Sequence, residues 1–176
     1  AERVLSHLKT LKEVEIVEPL GSLRRMNPTV GDIDIAVASK NPQMVIKHFT
    51  AFGEVSKVLE AGERKSSIIL KNGMQIDLLI NSPESFGSLL QHFTGSKNHN
   101  IKLREFAIKK KISVSDYGIK YGGKLHEFKA EEEFYKFLGL QWIEPELRED
   151  TGEIEAASRN KLPKLVKLAD IKGDLH

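Results

Sequence analysis

Two hydrophobic periods run along this chain, and helical spacing takes over from strand alternation near Asn81-Ser82-Pro83. Val4, Leu5, Leu8 and Leu11 sit at helical spacing and predict an opening amphipathic helix over 3–11. Val14, Ile16 and Val17 predict a strand ending near Pro19, after which Gly21-Ser22 turns the chain into a short helix around Leu23-Arg24-Arg25. In Asp32-Ile33-Asp34-Ile35-Ala36-Val37 acids and aliphatics alternate, so a strand here sends both aspartates to one face and Ile33, Ile35 and Val37 into the core. Asn41-Pro42 reads as a helix cap with proline in the first turn, and Val45, Phe49 and Phe52 give that helix a buried stripe. Ser67 to Leu70 and Met74 to Ile80 read as strands around Lys71-Asn72-Gly73, a tight-hairpin signal. The second of these carries Asp77 on the side shared by Gln75 and Leu79. Asp77 therefore faces Asp32 and Asp34 if the strands are neighbours, which alternation alone leaves open.

Beyond the boundary a helix is expected from Glu84 to Phe93, then a turn at Thr94-Gly95-Ser96. A second helix would bury Leu103, Phe106 and Ala107 while Lys97, Arg104 and Lys111, spaced by sevens, line another face. Ser113 to Tyr121 and Lys124 to Phe128 read as a hairpin about Gly122-Gly123, followed by an acidic helix through Leu138 and the segment Gln141-Trp142-Ile143. Phe134 and Trp142 are expected in the core of this part, and His99 and His126 in ordinary surface or boundary roles. From about Arg148 a linker is expected, with one short helix near Leu162 to Leu168.

Composition narrows the chemistry. The 176 residues include no cysteine, which excludes disulfides and thiolate zinc sites, and the six histidines lack paired metal-binding spacing. A bound metal would be held by oxygen, favouring magnesium, manganese or calcium. No apolar run approaches membrane-spanning length and the N-terminus lacks a signal-peptide core, so a cytoplasmic protein is expected, with no membrane partner. The net charge of +2 decides little, but bases outnumber acids from Lys97 to Lys129, whereas Glu131 through Glu155 is acidic. The basic block is either a polyanion surface or a solvated helix face.

Two carboxylates separated by one strand residue are what a grip on two divalent cations requires, with a third acid completing the cage. The alternative is a pair of exposed acids on an edge strand. A glycine turn opening a helix, as at Gly21-Ser22, presents amides and a hydroxyl to phosphate, and Arg25 one turn on adds a guanidinium fork. Arg24 should point elsewhere, toward an acid of the core. Either arginine could instead form a surface ion pair.

Gly21-Ser22-Leu23-Arg24-Arg25 followed by Gly31-Asp32-Ile33-Asp34 resembles the signature of nucleotidyltransferases related to DNA polymerase beta. His92-Phe93-Thr94-Gly95-Ser96-Lys97-Asn98-His99-Asn100 resembles the nucleotide-selecting turn of X-family DNA polymerases. The resemblance covers nearly the whole chain. It implies that Asp32 and Asp34 bind two magnesium ions (manganese being possible), and that Asp77 completes the catalytic ion's site and accepts the primer hydroxyl proton. It further implies that Gly21, Ser22, Arg25 and Gly31 hold the triphosphate, with His92, Phe93, Gly95, Lys97 and Asn100 at the sugar and base. Arg104, Lys102, Lys111 and Tyr117 are implied to meet DNA. His92 stands where vertebrate relatives carry tyrosine, and Lys97 where an acid is common.

The fold expected is α+β: a palm over 1–83 with a mixed sheet flanked by helices, a small α/β thumb over 84–148, and a linker over 149–176. By resemblance the chain lacks the helical half that precedes the palm in such polymerases, and Gly173-Asp174-Leu175-His176 resembles the opening of a following polymerase-and-histidinol-phosphatase domain. The function implied is a DNA-directed DNA polymerase core acting on dNTP and primer-template or gapped DNA in repair. A monomer is expected, though nothing in the residues sets the oligomeric state. Template-independent or small-substrate nucleotidyl transfer, and a DNA-binding fragment inactive in isolation, stay open.

Overall fold

A computed structural model describes residues 1–173, so the resemblance at Gly173-Asp174-Leu175-His176 lies largely outside the described residues. Helix α1 (Glu2–Lys9) leads into strand β1 (Ile16–Pro19), the single-turn helix α2 (Gly21–Arg24) and strand β2 (Ile33–Ala38). Helix α3 (Pro42–Thr50) follows, its first turn closed by the Asn41 side chain, which accepts from the Met44 amide at 3.4 Å. Strands β3 (Val55–Ala61), β4 (Lys65–Leu70) and β5 (Gln75–Asn81) complete a five-stranded mixed sheet of order β1-β2-β5-β4-β3. Only β2 and β5 pair in parallel, and the excursion through α3, β3 and β4 is the crossover that a parallel pair needs.

Strand β3 is absent from the expectation drawn from sequence. It is an edge strand with register irregularities in its pairing to β4, and nearly all its residues are exposed, so no alternation marks it.

Alternation on β2 sorts the sheet's two faces. Ile33, Ile35 and Val37 join Ile76, Leu78 and Ile80 of β5 under α1 and α3, in a core with Val4, Leu8, Val45 and Phe49. Asp34, Ala36 and Ala38 point the other way, and helix α4 (Phe86–Thr94) covers Ala36 and Ala38 with Phe86, Leu89 and Leu90. Asp34 lies at the end of that row, and it stays only half-buried.

A 3-10 turn at Pro83–Ser85 precedes α4, and helix α5 (Lys97–Lys109) begins at Ser96, whose hydroxyl caps the His99 amide. The expected hairpin is a three-stranded antiparallel sheet: β6 (Ser113–Ser115), β7 (Gly118–Tyr121) and β8 (Lys124–His126). The turn at Asp116-Tyr117 splits what reads as one strand. Helix α6 (Glu131–Leu138) closes this half. The segment expected as linker carries helix α7 (Glu153–Ser158) rather than one near Leu162 to Leu168; Ile154 and Ala157 pack with Leu103, Phe134 and Leu138, and Arg148 is wholly buried. A 3-10 turn spans Leu168–Asp170.

Phe134 is buried and Trp142 packs against the same cluster, as expected. His99, expected near the surface, is 0% exposed. Its ring pairs with Glu153 Oε1 at 2.6 Å through Nδ1 and with the Tyr135 hydroxyl at 2.9 Å through Nε2. Lys111 lies beyond the end of α5, so the sevenfold basic row does not continue along one helix.

Candidate nucleotidyl-transfer site

The parallel register sets Asp34 of β2 directly opposite Asp77 of β5, with Asp32 two residues before Asp34 at the mouth of the strand. Parallel partners share a face, so the three acids converge by backbone geometry. Burial first, and then the carboxylates of Asp32 and Asp77, push the Asp34 acid up from the usual 3.8 to about 6, while Lys65 opposes them. Gln75 donates to Asp77 Oδ1 at 3.1 Å. Among the described residues no three Asp, Glu, His or Cys side chains are drawn together closely enough to form a ready ion cage. The donor set nonetheless fits a hard divalent cation, being all oxygen and carrying like charges that raise one another's cost.

Gly21 belongs to this cluster. Its φ of +56° suits glycine, and a Cβ there would lie 2.6 Å from Asp34 Oδ2. The Leu20 amide donates to the Asp34 carbonyl at 2.8 Å, which holds the turn against β2. Ser22 is half-buried beside it, and Gly31 is exposed with open space around its Cα. With α2 only one turn long, local amides rather than an extended helix dipole would face a phosphate here.

The two arginines diverge. Arg24 bonds the Thr94 hydroxyl at 2.5 Å and Glu131 at 2.6 Å, and Glu131 in turn receives Arg148 Nη1 at 2.7 Å. This is the core acid expected for Arg24. Arg25 turns the other way, donating from Nη1 to the Thr94 carbonyl at 2.6 Å and from Nε to Glu149 at 2.6 Å. Sequence spacing could not find Thr94 or Glu149, which come from 69 and 124 residues away.

The Thr94–Ser96 turn is thereby fastened beside the sheet's acidic end. Gly95 has φ +71°, the Gly95–Ser96 peptide is cis, and a Cβ at Gly95 would lie 3.2 Å from Arg25 Nη1. His92 and Phe93 meet edge-on, with burial holding the His92 ring below its usual protonation range. Asn100 is engaged within this part, donating to the His92 carbonyl at 2.7 Å and accepting from Gln91 at 2.9 Å.

Phe93, Leu79, Tyr117, Asp116, Arg64 and Lys65 line a cleft of ≈ 610 Å³. Asp32, Asp34 and Asp77 do not line it, but Leu79 sits two residues beyond Asp77 on the same face. Arg64 lies 5.9 Å from the centre of the Tyr117 ring and bonds Asn81, which donates to the Asp116 carbonyl. Lys97, Lys102, Arg104, Lys111 and Tyr117 are all exposed, with Lys102 reaching Glu105 at 3.4 Å.

A family profile described as DNA polymerase beta thumb matches residues 89–149. The DNA polymerase/3'-5' exonuclease PolX of Bacillus subtilis (strain 168) is 36% identical over 100% of this chain and 31% of its own length. The Repair DNA polymerase X of African swine fever virus (isolate Tick/South Africa/Pretoriuskop Pr4/1996) is 31% identical over 73% of this chain and 79% of its own length. A two-part α+β chain with an acidic cluster on one sheet face thus has its likeness among polymerases. The chain belongs to the X family of DNA polymerases. It spans about a third of the Bacillus relative and about four fifths of the viral one. Among the described residues no helix is long and apolar enough to cross a membrane.

Proposed function

We propose that this chain is the catalytic core of a DNA-directed DNA polymerase that joins dNMP to a primer 3′-hydroxyl and fills short gaps during repair. The observation that carries the reading is the in-register pairing of Asp34 with Asp77 beside Asp32, with burial and then those two carboxylates making Asp34 a weak acid. Residues 1–83 would act as palm and 84–148 as thumb, with the α7 segment supporting the thumb.

Asp32 and Asp34 would hold two magnesium or manganese ions, with Asp77 completing one site. Divalent cations, when bound there, supply a lowered pKa at the attacking hydroxyl and neutralise the leaving charge. Asp77 takes the proton of the primer 3′-hydroxyl. The 3′-oxygen forms a bond to the α-phosphorus as the bond to pyrophosphate breaks, so the protein's share is positioning and charge. Gly21, Ser22, Arg25 and Gly31 orient the triphosphate. His92, Phe93, Gly95, Lys97 and Asn100 shape the sugar and base site; Lys102, Arg104, Lys111 and Tyr117 meet the DNA.

Primer extension on gapped DNA with single dNTPs, in magnesium or manganese, tests this against Asp77→Ala. Incorporation of only the complementary nucleotide, reduced at least about a thousandfold in the variant, is expected. Template-blind addition would move the reading to terminal or small-substrate transfer. Normal DNA binding with no product at saturating metal would leave a binding fragment.

A further inference from the structure

Arg25 is the cation on which the triphosphate reading depends, and its guanidinium is already engaged. Its Nε donates to Glu149 Oε1 at 2.6 Å, and its Nη1 donates to the Thr94 carbonyl at 2.6 Å. With the Asn27 amide oriented to satisfy both neighbours, its nitrogen donates to the same Glu149 oxygen at 3.2 Å and its oxygen accepts from Arg25 Nη2 at 3.3 Å. The Glu149 carboxylate thus takes the charge-assisted bonds that a phosphate oxygen would take.

The two ends of the pair differ in their access to water. The Arg25 side chain is 12% exposed and that of Glu149 39%. An anion held at its inner edge and open on its outer edge can be exchanged for another anion. Its position is nevertheless built in. Arg148, one residue earlier, is wholly buried, with its guanidinium on the Ile143 carbonyl and Glu131. The Arg148 carbonyl accepts from the Ser96 amide at 3.0 Å. Those contacts pin the backbone beside Glu149 to the same turn whose Thr94 carbonyl steadies Arg25.

We propose that Glu149 is an internal competitor for the triphosphate: its carboxylate occupies Arg25 in the nucleotide-free chain, the incoming phosphates displace it, and Glu149 thereby sets nucleotide affinity. The proposal rests on the triphosphate reading of Arg25. Apparent affinity falls by the fraction of chains in which Arg25 is free, so an internal anion weakens nucleotide binding without touching the nucleotide. The Thr94 carbonyl uses only Nη1, and so it can hold the guanidinium while Nε and Nη2 change partners. Holding the two halves together does not require Glu149, because Arg24 and Arg148 already meet on Glu131.

The test is equilibrium binding of a dNTP with magnesium, and separately of inorganic tripolyphosphate, to this chain and to Glu149→Gln, Arg25→Ala and the double variant. Glutamine keeps the size and one acceptor while removing the charge. Glu149→Gln is expected to bind both ligands about five- to tenfold more tightly, with the gain in primer extension appearing in KM for dNTP. The double variant should bind as weakly as Arg25→Ala. Equal or weaker binding by Glu149→Gln, with binding still lost in Arg25→Ala, overturns the competitor role and leaves the triphosphate reading standing. If Arg25→Ala binds both ligands as tightly as the unaltered chain, the triphosphate reading falls and the competitor role with it.

Discussion

The sheet half and the helical half of the chain treat charge in opposite ways. On the five-stranded sheet, Asp32, Asp34 and Asp77 share one face and one sign, and burial together with the other two carboxylates raises the Asp34 acid to about 6, with Lys65 offsetting only part of the shift. In the thumb and the α7 segment packed on it, Glu131, Arg148, Tyr135, His99 and Glu153 are all buried, and each has a hydrogen-bonding or charged partner. There burial is harsher, yet the Arg148 guanidinium holds the Glu131 carboxyl below the usual range against the opposing effect of burial. The contrast separates a site from a scaffold. Unbalanced charge at a half-open position is poised to take a ligand, whereas balanced charge in a closed one fixes a shape.

The largest effect on stability should follow from breaking the balanced side. Arg148→Ala leaves Glu131 buried with only Arg24, and opens the two bonds to the Ile143 carbonyl. Loss of about 3–5 kcal/mol is expected in urea unfolding. Arg148→Met with Glu131→Gln should cost much less, because no unpaired charge remains buried. Equal losses in the two proteins would mean that packing alone matters, and the scaffold reading of these charges would fail.

The unbalanced side should answer with the reverse sign. Asp34→Asn removes one of three like charges and is expected to raise stability by roughly 1 kcal/mol in metal-free buffer, the value being reduced by solvent screening. The same change should abolish nucleotidyl transfer. A variant that is both inactive and less stable would argue that Asp34 is a structural acid and would remove the contrast with the thumb.

How far these features were legible in the residues follows from the reach of the forces that set them. The aspartate strand announced itself because Asp32, Asp34 and the aliphatics alternate, and Asn72-Gly73 fixed the hairpin that brings Asp77 back along Ser67. These are local signals. Strand β3 gave none, since an exposed edge imposes no alternation, and the six-residue α7 is held by what Ile154 and Ala157 pack against rather than by its own pattern. His99 was readable after all. With Leu103 and Ala107 it forms an i, i+4, i+8 stripe that is the buried face of α5, but its partners lie 36 and 54 residues away. The bond between Arg25 and Glu149 spans 124 residues, and no spacing rule reaches that far.

The last of these effects concerns acid, and His99 carries it. Burial drives its ring below the usual 6.5, and although Glu153 favours the protonated ring, Arg148 nearby opposes it; Tyr135 and Glu131 are the other polar groups of the same network. The ring is therefore neutral in the folded chain at a pH where the unfolded chain already binds a proton. The resulting stability is complete above pH 6.5 and is drawn down as pH falls from there toward the lowered folded value. Glu153, whose own acid is lowered by His99 and by backbone amides against the effect of burial, adds a loss of the same sign only below its ordinary 4.5. Melting between pH 7.5 and 5.5 should thus show a decline of no more than about 1.4 kcal/mol per pH unit from this residue. His99→Gln keeps a donor within reach of Glu153 but cannot titrate, so it should start less stable and decline less steeply. An unchanged slope in that variant would place the acid response outside the thumb network and would leave His99 as packing alone.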